Sequence, residues 1–162
     1  MIFEPADGGF RLMIDDFSRE VVVRLMGELR VEVESAKSAT QAELAPHMKR
    51  LFPTAYHNDE RRNDEYRRLT HSDLADTHVS ALDDALLLLT PGRVFTRDDL
   101  ERFVRAVNAM RLVLGTVLDV SEADIDDVGE PDGDDPTAVQ RDVYNYLGWL
   151  LHNSLDQLRS FI

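Results

Sequence analysis

The chain has 162 residues, no cysteine and a net charge of −13, with 31 acidic against 18 basic side chains. A chain of this length buries about two thirds of its unfolded surface, so we expect a single domain over residues 1–162. The missing cysteines exclude disulfides, thiolate nucleophiles and cysteine-based zinc sites, and the acidic balance disfavours a general nucleic-acid binder.

The sequence carries no sign of a membrane or export segment. No stretch approaches the run of about 18 apolar residues that a membrane span requires. The start, MIFEPADGGF, lacks the basic and apolar regions of a signal peptide. We therefore expect a cytoplasmic protein without a membrane partner.

Residues 2–14 predict a small β-hairpin. Phe10, Leu12 and Ile14 recur at every second position, which is typical of a strand with one buried face. The sequence DGG at residues 7–9, directly before them, has the chemistry of a tight turn.

A helix is predicted next, starting at Asp15 or Asp16 and ending at about Ser35. Apolar residues recur at helical spacing over four turns, and this pattern outweighs the poor helix propensity of three consecutive valines. We place the apolar stripe on Phe17, Val21, Leu25 and Leu29, with Val22, Met26 and Val33 alongside.

The middle of the chain predicts a short segment followed by two helices. The segment 44–53 contains a proline near each end and is anchored by Leu51 and Phe52. A helix over residues 60–69 follows. A second helix, starting at residue 70 or 72 and ending at about residue 89, has the cleanest apolar stripe in the chain.

The central element is a helix from Thr96 to Leu118. Thr96 with Asp99 three residues later resembles a capping box and marks the start of this helix sharply. Just before it, Val94 and Phe95 can pair briefly with the N-terminal hairpin.

The segment Asp119–Asp135 contains nine acidic residues and no basic one. With its two glycines and its proline, it predicts a partly mobile linker within the domain. Asp135-Pro136 then starts the last helix, because proline is favoured in a first helical turn. The predicted fold class is therefore mainly α: a helical bundle of about five helices with a small N-terminal β-hairpin.

The last helix is apolar over much of its circumference. Leu147 and Leu150 belong to one face, and further apolar residues widen that face beyond a single stripe. Such a helix is usually buried on two sides, so it lies either in the middle of the bundle or at the interface of a homodimer. The candidate interface residues are Tyr144, Trp149, Leu151 and Leu155.

The sequence shows no catalytic or metal-binding motif. His71 and His78 are seven residues apart on one predicted helix, a separation of about 10 Å, which is too long for two ligands of one metal. The acidic segment matches three positions of a calcium-binding loop but places Val128 at a ligand position. We therefore expect a protein that is not an enzyme, with no metal and no cofactor.

A cluster of arginines lies in the predicted middle helices. Acidic residues alternate with them at i,i+3 and i,i+4 spacing, where each ion pair stabilises a helix by about 0.2–0.5 kcal/mol. This pattern favours a solvated helix face, and a nucleic-acid surface is the alternative. The candidate nucleic-acid contacts are Arg61, Arg62, Arg67 and Arg68.

Arg111 lies within the apolar stripe of the central helix, between Val107 and Leu114. A guanidinium left unpaired in a core is costly, so we expect an anionic partner from another element. The candidates for this structural ion pair are Glu65, which we favour, and Asp73. A ligand-binding role for Arg111 is the alternative.

Three sequence blocks together resemble a known family. They are RLFPTAY at residues 50–56 with DEYRRLT at 64–70, VNAMRLVLG at 107–115, and YLGWL at 146–150. In this order they are similar to the actinobacterial domain-of-unknown-function family that includes the Actinomycetes oxidative stress regulator. Genes of that family typically neighbour the gene of the Clp protease adaptor.

The resemblance spans about residues 10–158 and implies a mainly helical, cytoplasmic regulator. The regulator that gives the family its name is a transcription factor switched by a Cys-x-x-x-Cys disulfide, and a chain without cysteine cannot operate that switch. We therefore expect a non-enzymatic protein that contacts a transcription-machinery or other regulatory protein in transcription or stress regulation. Direct DNA binding through the Arg61–Arg68 region is the alternative.

Overall fold

The computed structural model describes residues 2–40, 43–53, 60–125 and 138–161. Within the helices, the side chains at 60, 63–64, 66–69 and 119–125 lie outside this description. In the described ranges the chain forms four α-helices, one short 3-10 helix and three short strands, so the predicted mainly α class with an N-terminal hairpin is confirmed. The helices are α1 (Asp16–Ala36), α2 (Glu60–Leu88), α3 (Arg97–Ile125) and α4 (Ala138–Arg159), and the 3-10 helix is Pro46–Met48.

The three strands form one antiparallel sheet in the order β1 (Phe3–Ala6), β2 (Gly9–Leu12), β3 (Val94–Phe95). The predicted turn lies between β1 and β2, and Gly8 within it has a φ of 87°. Phe10 pairs with Phe95, so the expected pairing between β3 and the hairpin is confirmed. Gly9 permits this pairing, because a Cβ there would lie only 1.9 Å from the Phe95 carbonyl oxygen.

Helix α1 begins as predicted but presents a different face to the core. Its N-cap is Asp15, whose carboxylate accepts a 2.7 Å hydrogen bond from the Ser18 amide. The prediction that Phe17 heads the buried stripe is wrong, since 76% of Phe17 is exposed. The buried residues of α1 are Val22, Met26, Leu29, Val33 and Ala36.

Helix α2 is continuous over the region where the sequence predicted two helices. Thr70 and Ser72, which were expected to cap the second of these helices, lie inside α2. Residues 60–88 contain no proline and no glycine, so nothing breaks the backbone hydrogen-bond ladder, and packing overrides a weak local capping preference.

Helix α3 starts with the predicted capping box. The Thr96 amide donates to the Asp99 carboxylate at 3.0 Å, and the Asp99 amide donates to the Thr96 hydroxyl at 3.2 Å. The helix continues past Leu118 to Ile125, so the first part of the predicted acidic linker is helical. Residues 126–137, the remainder of that prediction and the start of the predicted last helix, lie outside the described residues.

Helix α3 is the centre of the structure, since it contacts α1, α2, α4, β3 and the 3-10 helix. Its inner face is almost fully buried, and Phe103 packs edge-on against Phe95 with ring centres 5.4 Å apart. This central position places the side chains on the far side of α3 against α4. The buried residues of α3 up to Met110 are Leu100, Phe103, Ala106, Val107, Ala109 and Met110.

Candidate functional site

Arg111 lies where α3 crosses α4. Its guanidinium carbon is 4.7 Å from the centre of the Tyr144 ring, a distance at which the cation and the aromatic face attract each other. On the other side it packs against Gly148, where a Cβ would lie 3.2 Å from Nε and 3.4 Å from Nη2 of Arg111. A residue larger than glycine at position 148 would therefore clash with the guanidinium.

The surroundings of Arg111 differ from those that the sequence suggested. Its Nε is buried and has no hydrogen-bond partner. Glu65 and Asp73 are both exposed on α2, and the part of the chain that the structure describes contains no ion pair between Arg111 and either of them. The reason is physical: the Tyr144 ring provides a cation-binding face, and Arg111 is only half-buried, so its charge keeps contact with water.

A second arginine reaches the same crossing. Nη1 of Arg50 lies 3.6 Å from the position that a Cβ of Gly115 would occupy, and Cε2 of Tyr144 lies 3.2 Å from that same position. Gly115 follows Arg111 by four residues, which is about one helical turn. Arg50 and Tyr144 therefore both approach Gly115 of α3. We call Arg50, Arg111, Tyr144, Gly115 and Gly148 the arginine site.

The position of Arg50 is fixed by the segment that contains it. Leu51 and Phe52, which follow Arg50 directly, are both buried. Nε2 of His78 lies 3.0 Å from the Leu51 carbonyl oxygen, and the His71 ring is 4.5 Å from the Phe52 ring. The core thus holds the backbone on the C-terminal side of Arg50 in place.

The histidines of α2 have structural partners. Nε2 of His71 lies 2.7 Å from the carbonyl oxygen of Ala36, at the end of α1, and His78 bonds Leu51 as described. A half-buried ring bonded to the backbone is typical of a structural histidine. Among the residues whose side chains are described, no group of three or more His, Asp or Glu could hold a metal ion.

A second candidate surface lies on another face of α4. Trp149 is 46% exposed, and its ring centre is 5.5 Å from that of Tyr146. Tyr146 interacts in turn with Asp15 and Ser18 at the first turn of α1, next to the exposed Phe17. We call Phe17, Tyr146 and Trp149 the aromatic surface, since Phe17 directly precedes Ser18 in the chain and both Phe17 and Trp149 are exposed.

The hydroxyl of Tyr146 forms the inner edge of the aromatic surface. It is buried and has no hydrogen-bond partner, although the Ser18 hydroxyl, which donates to Asp15, lies nearby. Burial disfavours the phenolate and so raises the pKa of Tyr146, while the proximity of Ser18 only partly opposes this effect.

The four candidate interface residues of α4 do not share one face. Leu151 packs against the core, and Leu155 is half-buried. Tyr144 is half-buried beneath Arg111. Trp149 alone of the four is exposed, because successive helical residues are rotated by about 100° and these positions therefore diverge.

The candidate nucleic-acid contacts lie at the start of α2. Arg61 and Arg62 belong to its first turn and are exposed. The backbone at residues 67 and 68 is helical, and the side chains of Arg67 and Arg68 lie outside the described residues. Arg50 begins the sequence block 50–56 of the family resemblance, but no spacing along the chain indicates that it lies near Gly115.

Comparison with known proteins identifies a family. The model of a family described as "Domain of unknown function (DUF2017)" matches residues 1–158. No curated protein and no solved structure is similar enough to the chain to count as a match. Within the described ranges, no helix combines the length and the apolar character needed to cross a membrane.

Proposed function

The chain belongs to the DUF2017 family, and from this premise we propose that it is a non-enzymatic regulatory protein that acts through contact with other proteins. The observation that carries the proposal is the aromatic surface, where Trp149 and Phe17 are 46% and 76% exposed. Large aromatic side chains left exposed to water are typical of protein–protein interfaces.

The aromatic surface has the construction expected of a contact site. Tyr146 anchors Trp149 from below, since its hydroxyl is buried near the first turn of α1. Tyrosine and tryptophan offer a large contact area while losing little conformational freedom on binding. A partner that covers Trp149 and Phe17 would remove both from water without rearranging the core.

The first partner that we propose is a second copy of this chain. Most soluble oligomers are homo-oligomers, and two-fold dimers are the commonest among them. In such a dimer the same patch faces itself, so Trp149 of one copy would pack near the aromatic surface of the other. The homodimer would then present its remaining surface to a transcription-machinery or other regulatory protein.

The proposed place of this protein is transcription or stress regulation, without a cysteine switch. The resemblance of residues 50–56, 64–70, 107–115 and 146–150 to the family of the Actinomycetes oxidative stress regulator supports this placement. The histidines support a non-enzymatic role, because His71 and His78 are both committed to backbone carbonyl groups rather than directed into an open cleft.

Sedimentation velocity at micromolar concentration tests the proposal. We expect a dimer for the natural chain and a folded monomer for the double variant Trp149→Ser, Phe17→Ser. The matched control is Val31→Ser, which removes another exposed apolar side chain of α1 about four turns away and should remain dimeric. A monomeric natural chain at this concentration rejects the homodimer.

The regulatory part needs a cellular readout. In the source cell, a gene deletion should change transcript levels, and the control variant should restore them while the Trp149→Ser, Phe17→Ser variant should not. Full restoration by the double variant would show that the aromatic surface does not carry the function.

Direct DNA binding is the second candidate, because Arg61 and Arg62 are exposed in the first turn of α2. A mobility-shift titration with duplex DNA should then show binding that weakens steeply with salt and drops on Arg67→Ala and Arg68→Ala. Absence of binding at low salt excludes this candidate.

A further inference from the structure

A cleft lies between the β-hairpin and the C-terminal part of α4. Its volume is about 400 Å³. Pockets that hold small molecules usually measure about 300–1,000 Å³, so this cleft is large enough for a small ligand. The residues that line it belong neither to the arginine site nor to the aromatic surface.

One wall of the cleft is apolar. Pro5 of β1 pairs with Phe10 of β2, so these two side chains lie on the same face of the hairpin as Phe3, two residues before Pro5. An edge-on contact with Phe161, with ring centres 5.4 Å apart, supports Phe10. Together with Ile2, these three hairpin residues line the cleft with surface that suits a hydrocarbon or aromatic group.

The opposite wall contains a buried amide with one unused end. Gln157 is only 7% exposed, and its Nε2 donates to the Ser160 hydroxyl oxygen at 3.0 Å. Its Oε1 accepts no hydrogen bond from any residue that the structure describes, yet it is not among the fully buried unpaired atoms. Because Gln157 is otherwise buried and lines the cleft, Oε1 meets solvent there.

Asn153 repeats this arrangement one helical turn earlier. Its Nδ2 donates to the Trp149 carbonyl oxygen at 2.8 Å, and its Oδ1 has no donor within the described part of the chain. Residues four apart lie on the same face of a helix, and both Asn153 and Gln157 line the cleft. The polar wall therefore offers two amide oxygens as acceptors, while each amide already uses its nitrogen.

The acidic residue that lines the cleft already has partners. The Asp156 carboxylate lies 3.2 Å from Nη1 of Arg159 and 3.2 Å from Nε2 of His152. A cationic ligand would have to compete with Arg159 for this carboxylate, and an anionic ligand would face a wall of acceptors. The cleft therefore favours an uncharged ligand.

We infer that this cleft binds an uncharged small molecule with an aromatic body and an N–H or O–H donor directed at Oε1 of Gln157. The body would cover the apolar wall, and the donor would replace the water that Oε1 needs. A ligand without a donor would leave this acceptor unpaired, which is unfavourable. This inference goes beyond the proposed protein contact, because it assigns a small-molecule site to the hairpin side of α4.

The direct test is a titration of the full chain with indole, an uncharged aromatic molecule with one N–H donor, followed by nuclear magnetic resonance. The side-chain amide signals of Gln157 and the backbone amide signal of Phe10 should shift and saturate, with a dissociation constant of about 1 mM or lower. 1-Methylindole has the same rings without the N–H and should bind at least about fivefold more weakly. Shifts that do not saturate by about 5 mM indole, or equal binding of the two molecules, overturn the inference. Tryptamine adds an ammonium group, and binding about tenfold tighter than that of indole would reject an uncharged ligand.

Variants of α4 test the role of the two acceptors. Gln157→Leu removes the acceptor and keeps an apolar side chain, so it should bring the ratio of the 1-methylindole and indole dissociation constants to about one. An unchanged ratio overturns the inference. If Gln157→Leu does not fold, Asn153→Leu replaces a half-buried side chain and should lower the same ratio about twofold, whereas an unchanged ratio there overturns the inference.

The matched control is Asn145→Leu, an exposed asparagine about two turns before Asn153 on the same helix. It should leave both dissociation constants within about twofold of those of the natural chain. An effect of Asn145→Leu as large as that of the cleft variants would place indole binding elsewhere on α4.

Discussion

The guanidinium carbon of Arg111 lies 4.7 Å from the centre of the Tyr144 ring and connects α3 to α4. This contact gives the guanidinium a favourable neighbour within the apolar stripe of α3. It is also compatible with a half-buried charge, since the cation lies against the aromatic ring.

A double-mutant cycle on Arg111 and Tyr144 should show this coupling. We expect Arg111→Lys and Tyr144→Leu to be non-additive by about 0.5–2 kcal/mol in the free energy of unfolding, the range of cation–aromatic pairs. Lysine keeps the charge but cannot stack a plane on the ring. Urea unfolding of the two single variants and the double variant gives the value.

The same cycle on Arg111 and Glu65 discriminates between the structure and the sequence-based prediction. Because Glu65 is exposed and makes no ion pair with Arg111, the single losses should add within about 0.5 kcal/mol. A coupling energy larger than this would support the predicted ion pair between Arg111 and Glu65.

Gly148→Ala should remove the normal benefit of replacing a helical glycine. At an open site, Gly→Ala within a helix stabilises by about 0.5–1 kcal/mol. At position 148 the new Cβ meets Nε of Arg111 at 3.2 Å, so the guanidinium must shift or strain the helix crossing. Gly27→Ala is the matched control, because nothing lies within 4 Å of its Cβ position in α1. Equal stabilisation by both substitutions would contradict the tight contact.

Gly9→Ala should disrupt the sheet. The Cβ would lie 1.9 Å from the Phe95 carbonyl oxygen, which is backbone and cannot rotate away. We expect a loss of about 2 kcal/mol or more in unfolding free energy, as for other over-packed sites. Hydrogen exchange should locate the loss at the pairing of Phe10 with Phe95, and unchanged protection there would refute the explanation.

The elements that could be predicted from the sequence are those specified by local chemistry. The Thr96–Asp99 capping box and the turn around Gly8 need only neighbouring residues, and both are present. The continuity of α2 and the exposure of Phe17 depend on tertiary packing. The local sequence is compatible with one helix or two over residues 60–88, and with Phe17 either buried or exposed. The partner of Arg111 lies on another helix, and spacing along the chain carries no signal for such a contact.

Tyr146 should make stability fall in alkaline solution. Burial raises its pKa above the ordinary value of 10.0, so the folded state keeps the proton when the unfolded chain has lost it. The contribution is complete below pH 10 and is lost as the pH rises from there through the folded pKa. Tyr146→Phe should flatten this part of the profile in denaturant titrations from pH 8 upward. An unchanged slope would show that the hydroxyl reaches solvent.

The choice of variant decides whether the dimer can be tested at all. Leu151 packs against the core from α4, so Leu151→Asp places a charge in the bundle and should unfold the protein or cost about 3 kcal/mol or more. Trp149→Asp changes a side chain that is 46% exposed and should leave the circular dichroism spectrum intact while it separates the subunits. A folded monomer from Leu151→Asp would instead show that Leu151 lies at the dimer interface. If the unfolding midpoint of Trp149→Asp lies far below that of the natural chain, the Tyr146–Trp149 contact supports the fold itself. The aromatic surface would then no longer be evidence for a partner.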